Sequence, residues 1–199
     1  LHLCHHNLET INNTTSTAKH DLLAEVCMAA KYEGDSIKTH HTIHKQIYDD
    51  SASQICTMLA RSFADIGDIV RGKDLYSGNS KEKDRRDKLE NKLKEYFEKI
   101  YEKLTTTSSN NKEALQKRYK NDTENYYQLR EDWWTANRHT VWKAITCDDD
   151  NKLAGASYFR QTCGTGKPTN DKCRCKDKNG EHDTDQVPTY FDYVPQYLR

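Results

Sequence analysis

Histidines and cysteines are the residues of this chain whose spacing could support chemistry. His40 and His44 are four residues apart in a stretch with helical periodicity, so both imidazoles would lie on one face as a pair of zinc ligands. No acidic third ligand is placed beside them, and the zinc-protease pattern H-E-x-x-H is absent. Cys4, which is followed by two histidines, is equally isolated. We predict no structural metal, and a zinc-stabilised structural module is the less favoured alternative.

Motifs for enzyme chemistry are missing from the sequence. It contains no G-x-S-x-G, no P-loop and no dinucleotide fingerprint, and the run from Gly164 to Lys167 lacks the spacer and the preceding strand of a phosphate loop. The remaining His and Asp residues are scattered over polar faces, where no nucleophile meets a base. We therefore predict a protein that is not an enzyme and needs no cofactor.

Seven cysteines in 199 residues favour disulfide bonds in an oxidising compartment. Cys173 and Cys175 are separated by one residue, so a bond between them would close a strained ring and each should have a different partner. The connectivity stays open, because six cysteines allow fifteen pairings. Cys4 should be left unpaired within the chain, with its partner upstream of Leu1. The six candidates for disulfide bonds are Cys27, Cys56, Cys147, Cys163, Cys173 and Cys175.

Basic residues crowd the start of a predicted amphipathic helix. The basic stripe, as we call it, could meet successive sulfates of a glycan from adjacent helical turns, and it consists of Arg85, Arg86, Lys88 and Lys92. Interleaved acids make a solvated face the default interpretation. For the whole chain, 31 Lys and Arg balance 31 Asp and Glu, which excludes the general basic field of a nucleic-acid binder.

Trp134, Arg138 and Trp142 are spaced four residues apart. This spacing predicts a cation–π stack in which the guanidinium lies between the two indoles on one helical face. We favour packing of these rings against a neighbouring helix over a ligand-binding role.

Hydrophobic periodicity predicts helices over 19–33, 38–66, 82–105 and 112–146, the last one broken near Asn121 and Asp122. Gly34 is expected to stop the first helix, and Gly67 to end or kink the second. The second helix should form the centre of the bundle through a stripe of Ile43, Ile47, Ile55, Leu59, Phe63, Ile66 and Val70. Residues 147–186 have no period, and we call them the cysteine-rich loop. The predicted fold class is all-α, a disulfide-stabilised helical bundle carrying this loop.

Mean hydropathy is −1.07, and no apolar run is long enough to span a membrane. The chain starts at Leu1 without a signal sequence. We expect a fragment of a larger ectodomain.

Five stretches of this sequence resemble the Duffy-binding-like domain. They cover 23–34, 60–72 with its Asp-Ile-Gly-Asp, 129–138 with its Trp-Trp-Thr-Ala-Asn-Arg, 142–147, and 187–199 with its terminal Pro-Gln-Tyr-Leu-Arg. They occur in the same order as in that family. More narrowly, they are similar to the amino-terminal alpha class of this domain in the erythrocyte membrane protein 1 adhesins of malaria parasites.

The resemblance implies three subdomains and an adhesive function. Residues 1–18 would be the tail of the first subdomain, 19–186 the helical second subdomain, and 187–199 the start of the third. The module would lie on the outer face of the infected erythrocyte and bind a host receptor on erythrocytes or endothelium, as part of a variant antigen anchored by a membrane segment elsewhere in the parent chain. Four cysteines after Asp68 resemble the commoner four-cysteine group more than the two-cysteine group associated with rosetting. Binding of a heparan sulfate-like glycan in rosetting is therefore the alternative function and not the favoured one. No contact residue carries over from the family.

Overall fold

The computed structural model describes residues 18–48, 52–75, 78–106, 112–122, 124–147, 149–169, 171–176 and 186–199. Cys4 and nearly all of the expected tail 1–18 lie outside these residues. The described part contains no β-strand and five α-helices: α1 (Ala18–Tyr48), α2 (Ala52–Arg71), α3 (Ser80–Thr106), α4 (Lys112–Arg118) and α5 (Tyr127–Ile145). Two 3-10 turns follow at Phe191–Tyr193 and Gln196–Leu198. The predicted all-α class is confirmed. No described helix is both long and apolar enough to cross a membrane.

Helix α5 lies at the centre of the bundle, where it packs against α1, α2 and α3. Its side chains Trp134, Val141, Trp142 and Ile145 are completely buried. Helix α2 presents its apolar stripe, including Phe63, to the same core. The sequence predicted the buried face of α2 but assigned to it the central position that α5 occupies.

The boundary between the first two helices differs from the prediction. Helix α1 continues through Gly34 to Tyr48, and α2 continues through Gly67 to Arg71. Ile43 and Ile47 therefore belong to α1. One apolar stripe in the sequence is divided between two helices.

Close helix packing explains why these two glycines do not end their helices. A Cβ atom on Gly34 would overlap the backbone carbonyl of Ile145, and one on Gly67 would lie 2.7 Å from the Trp134 ring. Both positions are points where α5 approaches its neighbour too closely for a side chain. Each glycine costs ~1 kcal/mol in helix propensity, and the packing at these crossings offsets that cost.

The start of α3 and the break before α5 follow from local capping. The Glu82 amide donates to Oδ1 of Asn79 at 3.0 Å, and the Asn79 amide donates to the Glu82 carboxylate at 3.2 Å, which makes a reciprocal capping box. Before α5, the Leu129 amide donates to the Asp122 carboxylate at 2.8 Å. The break that the sequence predicts near Asn121 and Asp122 lies between α4 and α5.

Helix α4 is fixed to α5 through one carboxylate. Arg118 donates to both oxygens of Asp132 at 2.6 and 2.7 Å, and the Tyr119 hydroxyl donates to it at 2.7 Å. These donors lower the pKa of Asp132, with the Arg118 hydrogen bonds as the largest cause. Burial, followed by the bond to Asp132, raises the pKa of Tyr119 to about 12.

The described part of the cysteine-rich loop packs on the bundle without regular structure. A disulfide joins Cys173 to Cys56 of α2, and a second one joins Cys163 to Cys175 within the loop. Leu153 of the loop is completely buried. The loop is thus covalently attached to α2.

Candidate binding surfaces

The two disulfides give Cys173 and Cys175 different partners, at Cα–Cα distances of 5.5 and 5.6 Å. Both distances lie within the usual range for a bridge. One bond spans 117 residues and the other spans 12. Together they fix the loop to α2 and close a small ring within it.

Cys27 and Cys147, the other two candidates, are both half-buried and unbonded. Cys27 lies in α1, and Cys147 follows the end of α5. Lys31, one turn after Cys27, forms an ion pair with Asp149 at 3.1 Å, and the Cys147 thiol donates to that carboxylate at 3.7 Å. Burial raises the pKa of the Cys27 thiol to about 11.

A buried carboxylate fastens the carboxyl-terminal segment, residues 186–199, to the bundle. The Asp192 side chain is completely buried and accepts from Nε1 of Trp134 at 3.0 Å. Arg138 donates to both of its oxygens at 2.8 and 2.9 Å, and Arg71 donates to its backbone carbonyl. A buried carboxylate needs such partners, because an unpaired charge in the interior costs several kcal/mol.

A second ion-pair group holds the last residue of the same segment. Arg199 forms ion pairs with Asp65, at 3.4 Å, and with Asp68, whose other oxygen accepts from Arg71 at 3.0 Å. Burial is the main cause that raises the pKa of Asp65, and Arg199 opposes it. We refer to the two groups together as the buried charge network.

The predicted stack of Arg138 between two indoles is replaced by a different arrangement. Phe63 of α2 lies between the indoles, with its centroid 5.1 Å from both Trp134 and Trp142. The Arg138 guanidinium instead lies 5.3 to 5.9 Å from the rings of Phe63, Tyr190 and Tyr193. The reason is electrostatic, since Arg138 turns toward the Asp192 carboxylate, which is a stronger partner than an indole face.

Sequence reasoning missed Asp192 as a functional position. The segment is rich in Tyr, Phe and Pro, but its one acidic side chain is 54 residues from Arg138. No local spacing connects the two. The only signal in the sequence is a single Asp among aromatic residues, and this does not indicate which residue it pairs with.

Exposed aromatic rings lie in the cysteine-rich loop and in the carboxyl-terminal segment. Phe159, Tyr190 and Tyr193 are roughly half-exposed. The centroid of the buried Tyr158 ring lies 4.9 Å from that of Phe159, and the Tyr158 hydroxyl is hydrogen-bonded to Thr189 at 3.1 Å. Tyr190 and Tyr193 lie beside Arg138 of the buried charge network, which holds their segment on the bundle.

The basic stripe is divided by the structure. Arg85 and Lys88 are exposed, and Lys92 is half-buried. Arg86 forms an ion pair with Asp74, which also accepts from Nε2 of Gln196 at 3.1 Å. Arg86 therefore helps to position the carboxyl-terminal segment, whereas Arg85 and Lys88 face solvent.

The histidines of the proposed zinc site lie along α1. His40 is exposed, and its Nδ1 lies 2.8 Å from the carbonyl oxygen of Ser36 in its own helix. The His44 side chain lies outside the described part. Within the residues that the structure describes, no group of three or more His, Cys, Asp or Glu side chains could hold a metal ion.

Two concave surfaces adjoin α3. A groove of about 400 Å³ lies between the end of α2, the first half of α3 and Tyr127 of α5. A wider cleft of about 840 Å³ lies between the end of α3 and α4, where it is lined by Tyr101 and Lys117 among others. The groove contains Arg86, the only member of the basic stripe among its described lining residues.

These features define a class of protein: a disulfide-stabilised helical binding module, in which covalent bonds and buried charges hold irregular surface segments on a rigid bundle. The chain belongs to the Duffy binding domain family, whose model matches residues 1–199. The resemblance inferred from the sequence is thereby confirmed.

Solved structures support the same assignment. The chain is 41% identical to the NTS-DBL1-alpha and CIDR-gamma double domain of PfEMP1 from the Plasmodium falciparum varO strain, with a TM-score of 0.73 over 99% of this chain and 25% of that chain. It is 31% identical to the PfEMP1 IT4var13 DBLbeta domain bound to ICAM-1, with a TM-score of 0.67 over 99% of this chain and 40% of that one. A PfEMP1 DBLb domain bound to human ICAM-1 is 27% identical, with a TM-score of 0.61 over 99% and 36%.

The chain spans from a quarter to two fifths of the length of these three structures. No curated protein sequence matches it.

Proposed function

We propose that this chain is part of an extracellular adhesion module of a parasite variant antigen, which binds a host cell-surface receptor on erythrocytes or endothelium. The module acts by surface complementarity and is not an enzyme. It is displayed on the outer face of the infected erythrocyte and reaches the membrane through other parts of its parent chain.

The observation that carries this proposal is the likeness to two DBLbeta domains that were solved bound to ICAM-1. The likeness extends over 99% of the chain, so it includes the surface segments as well as the helical core. Family membership supports the class of activity, namely binding to a receptor, and leaves the identity of the receptor open.

The physical design of the surface supports the same proposal. Binding loses less free energy when the contact residues are already ordered before the partner arrives. The Cys163–Cys175 bond and the carboxylate of Asp192 provide that order for the exposed aromatic rings. Aromatic side chains on fixed supports are the usual source of binding energy at protein interfaces.

A sulfated glycan is the alternative partner. Arg85 and Lys88 favour a glycan partner, because both are exposed and neither forms an ion pair with another described residue. The ion pair between Arg86 and Asp74 argues against a glycan partner, because Arg86 would have to leave this pair to bind a sulfate.

Heparin chromatography over a salt gradient separates the two partners. A polyanion contact weakens steeply with ionic strength. Under the protein-receptor proposal the chain elutes at or below physiological salt, and changing Arg85, Arg86, Lys88 and Lys92 to Ser does not alter the elution. Retention well above physiological salt that these changes abolish would establish the glycan alternative.

Binding to host cells tests the adhesive function itself. The labelled chain, with its disulfides intact, is titrated onto erythrocytes and onto endothelial cells. We expect saturable binding to at least one cell type and its loss after reduction and alkylation, which release the loop from α2. The absence of saturable binding to both cell types would contradict the proposal.

A further inference from the structure

The 400 Å³ groove at the base of α3 combines apolar, charged and aromatic lining residues. Ile69, Leu89 and Leu93 supply the apolar lining, and Tyr127 is 50% exposed beside them. Ligand pockets usually measure about 300–1,000 Å³ and are mainly apolar with a few placed polar groups. A volume near the lower limit suits one or two side chains rather than a long polymer.

A fully buried guanidinium lies directly behind the lining. Arg130 is 0% exposed, and its Nη1 donates to the Glu90 carboxylate at 3.1 Å. A Cβ atom on Gly72 would lie 2.8 Å from that Nη1, so the guanidinium lies against two lining residues, Gly72 and Glu90. Nε and Nη2 have no hydrogen-bond partner in the described structure. Nη2 is only 3.0 Å from Glu90, but the pair is too poorly aligned for a hydrogen bond.

Unpaired N–H groups on a buried cation have a physical consequence. A guanidinium that has left water without replacing all its hydrogen bonds loses free energy that an added acceptor would restore. Arg130 does not itself line the groove, so a carboxylate there would act on this guanidinium through space, across Gly72 and Glu90. The buried cation thus adds a positive charge behind the lining that Glu90 partly balances.

The charges around the groove also favour an anion. Lys83 and Lys94 are among its lining residues, and neither forms an ion pair with another described residue. The acids Asp74 and Glu90 are already paired, with Arg86 and Arg130. Glu90 therefore pairs with the buried arginine rather than with Lys94 four residues later in its own helix. Asp87 remains as the one lining acid without an ion pair among the described residues.

We propose that this groove holds an acidic and an apolar side chain that are adjacent in a segment of the protein receptor. The proposal rests on the adhesive function inferred above and assigns that function one anchoring site. The apolar residue would contact Leu89 and Leu93, and the carboxylate would pair with Lys94 on the lining, with the guanidinium of Arg130 behind Gly72 and Glu90. A polysulfated glycan fits less well, because the lining carboxylates repel a chain of many sulfates. The apolar lining residues also make few favourable contacts with such a polar polymer.

Nuclear magnetic resonance titration with a defined peptide tests the site directly. The probe is N-acetyl-Leu-Glu-amide, and the matched control is N-acetyl-Leu-Lys-amide. The acidic probe should shift the amide signals of Gly72, Leu89 and Tyr127 at millimolar concentration, while the basic probe leaves them in place. If the acidic probe shifts none of these signals, or if a heparin tetrasaccharide shifts the same signals at lower concentration, the proposal is overturned.

Charge reversal on two sides of α3 provides matched variants. The double change Lys83→Glu and Lys94→Glu should weaken the probe's Kd by about fivefold or more, because it replaces both unpaired cations. Arg85→Glu with Lys88→Glu makes the same change of net charge on the exposed face and should leave Kd unchanged. Equal effects of the two variants would show a general charge effect and overturn the assignment to the groove. Thermal unfolding of both variants checks that they remain folded.

The same variants in the cell-binding assay separate the two proposals. If cell binding is lost in the Lys83→Glu and Lys94→Glu variant (the groove variant) and kept in the Arg85→Glu and Lys88→Glu variant, the result supports the groove as an anchoring site for the receptor. If wild-type protein binds cells and the groove variant binds equally well, the groove proposal fails and the adhesive function stands. If the acidic probe binds the groove and wild-type protein binds neither cell type, the adhesive function fails, and with it the assignment of the groove to a receptor segment.

Discussion

Asp192 shows how one residue fixes an irregular surface segment. Its carboxylate is buried between Trp134 and Arg138, and its carbonyl accepts from Arg71, so three side chains of the bundle converge on a single residue of the carboxyl-terminal segment. From the sequence we predicted that the aromatic residues of α5 pack against a neighbouring helix. The sequence could not predict the pairing, because the partners belong to separate elements and meet only in the folded chain.

Removing this charge should strongly destabilise the fold. Asp192→Asn keeps the shape of the side chain but leaves the buried Arg138 guanidinium without its counterion, and we expect a loss of about 3 kcal/mol in the free energy of unfolding. Urea unfolding followed by circular dichroism measures it. Asp84→Asn, on the exposed face of α3, is the matched control and should change the free energy by less than about 0.5 kcal/mol. Equal effects of the two changes would mean that Asp192 has no special role.

Cys27 and Cys147 carry a second prediction at the residue scale. We expect them to be joined in the oxidised protein, because Cys27 lies one turn before Lys31, which pairs with Asp149, and the Cys147 thiol donates to the same carboxylate. Burial raises the pKa of the Cys27 thiol to about 11, so it stays protonated at neutral pH. An added disulfide such as oxidised glutathione would take up the two protons and two electrons that the two thiols release. Peptide mapping of the unreduced protein checks this. Alkylation of both thiols in the native protein would contradict it.

Among the helices, the sequence predicted α3 and the break between α4 and α5 closely, because charge pattern and capping are local signals. It placed the boundary between α1 and α2 wrongly. Gly34 and Gly67 have the local appearance of helix ends, but each is a point where α5 packs tightly against the helix. Helix propensity does not contain that information, since it depends on a helix more than 60 residues away in the chain.

A substitution at such a crossing should reverse the usual effect of alanine. In an isolated helix Gly→Ala stabilises by ~1 kcal/mol. Here Gly34→Ala would place a methyl group on the backbone of Ile145, and we expect a destabilisation of ~1–3 kcal/mol. Ser36→Ala, at an exposed position of the same helix, is the control. Thermal denaturation of the two variants measures this effect. A higher melting temperature for Gly34→Ala than for the unchanged protein would contradict close packing of α5 at Gly34.

In the molecule as a whole, disulfide bonds and buried ion pairs stabilise a fold whose sequence contains few apolar residues. The sequence predicted a disulfide-held loop on a helical bundle, because cysteine number and the lack of periodicity are properties of composition. It did not predict the groove at the base of α3, because Gly72, Leu89 and Tyr127 come together only after three elements have packed. Surfaces of this kind need the tertiary structure.

The dependence on disulfides has a simple test. The Cys56–Cys173 bond spans 117 residues, and constraining so long a loop stabilises the folded state by about 5 kcal/mol in the chain-entropy model. We therefore expect reductant to lower the melting temperature strongly and a metal chelator to leave it unchanged. A zinc-stabilised module would give the opposite pair of results, with unfolding by chelator and no effect of reductant when metal is supplied.

The central claim is that the chain contributes to adhesion through contact with a host protein. Equilibrium binding to host cells at physiological salt tests it most directly, when the cells are first treated either with trypsin or with a heparan sulfate lyase. We expect trypsin to abolish saturable binding and the lyase to leave both the affinity and the number of sites unchanged. Binding that survives trypsin and disappears after the lyase would contradict it.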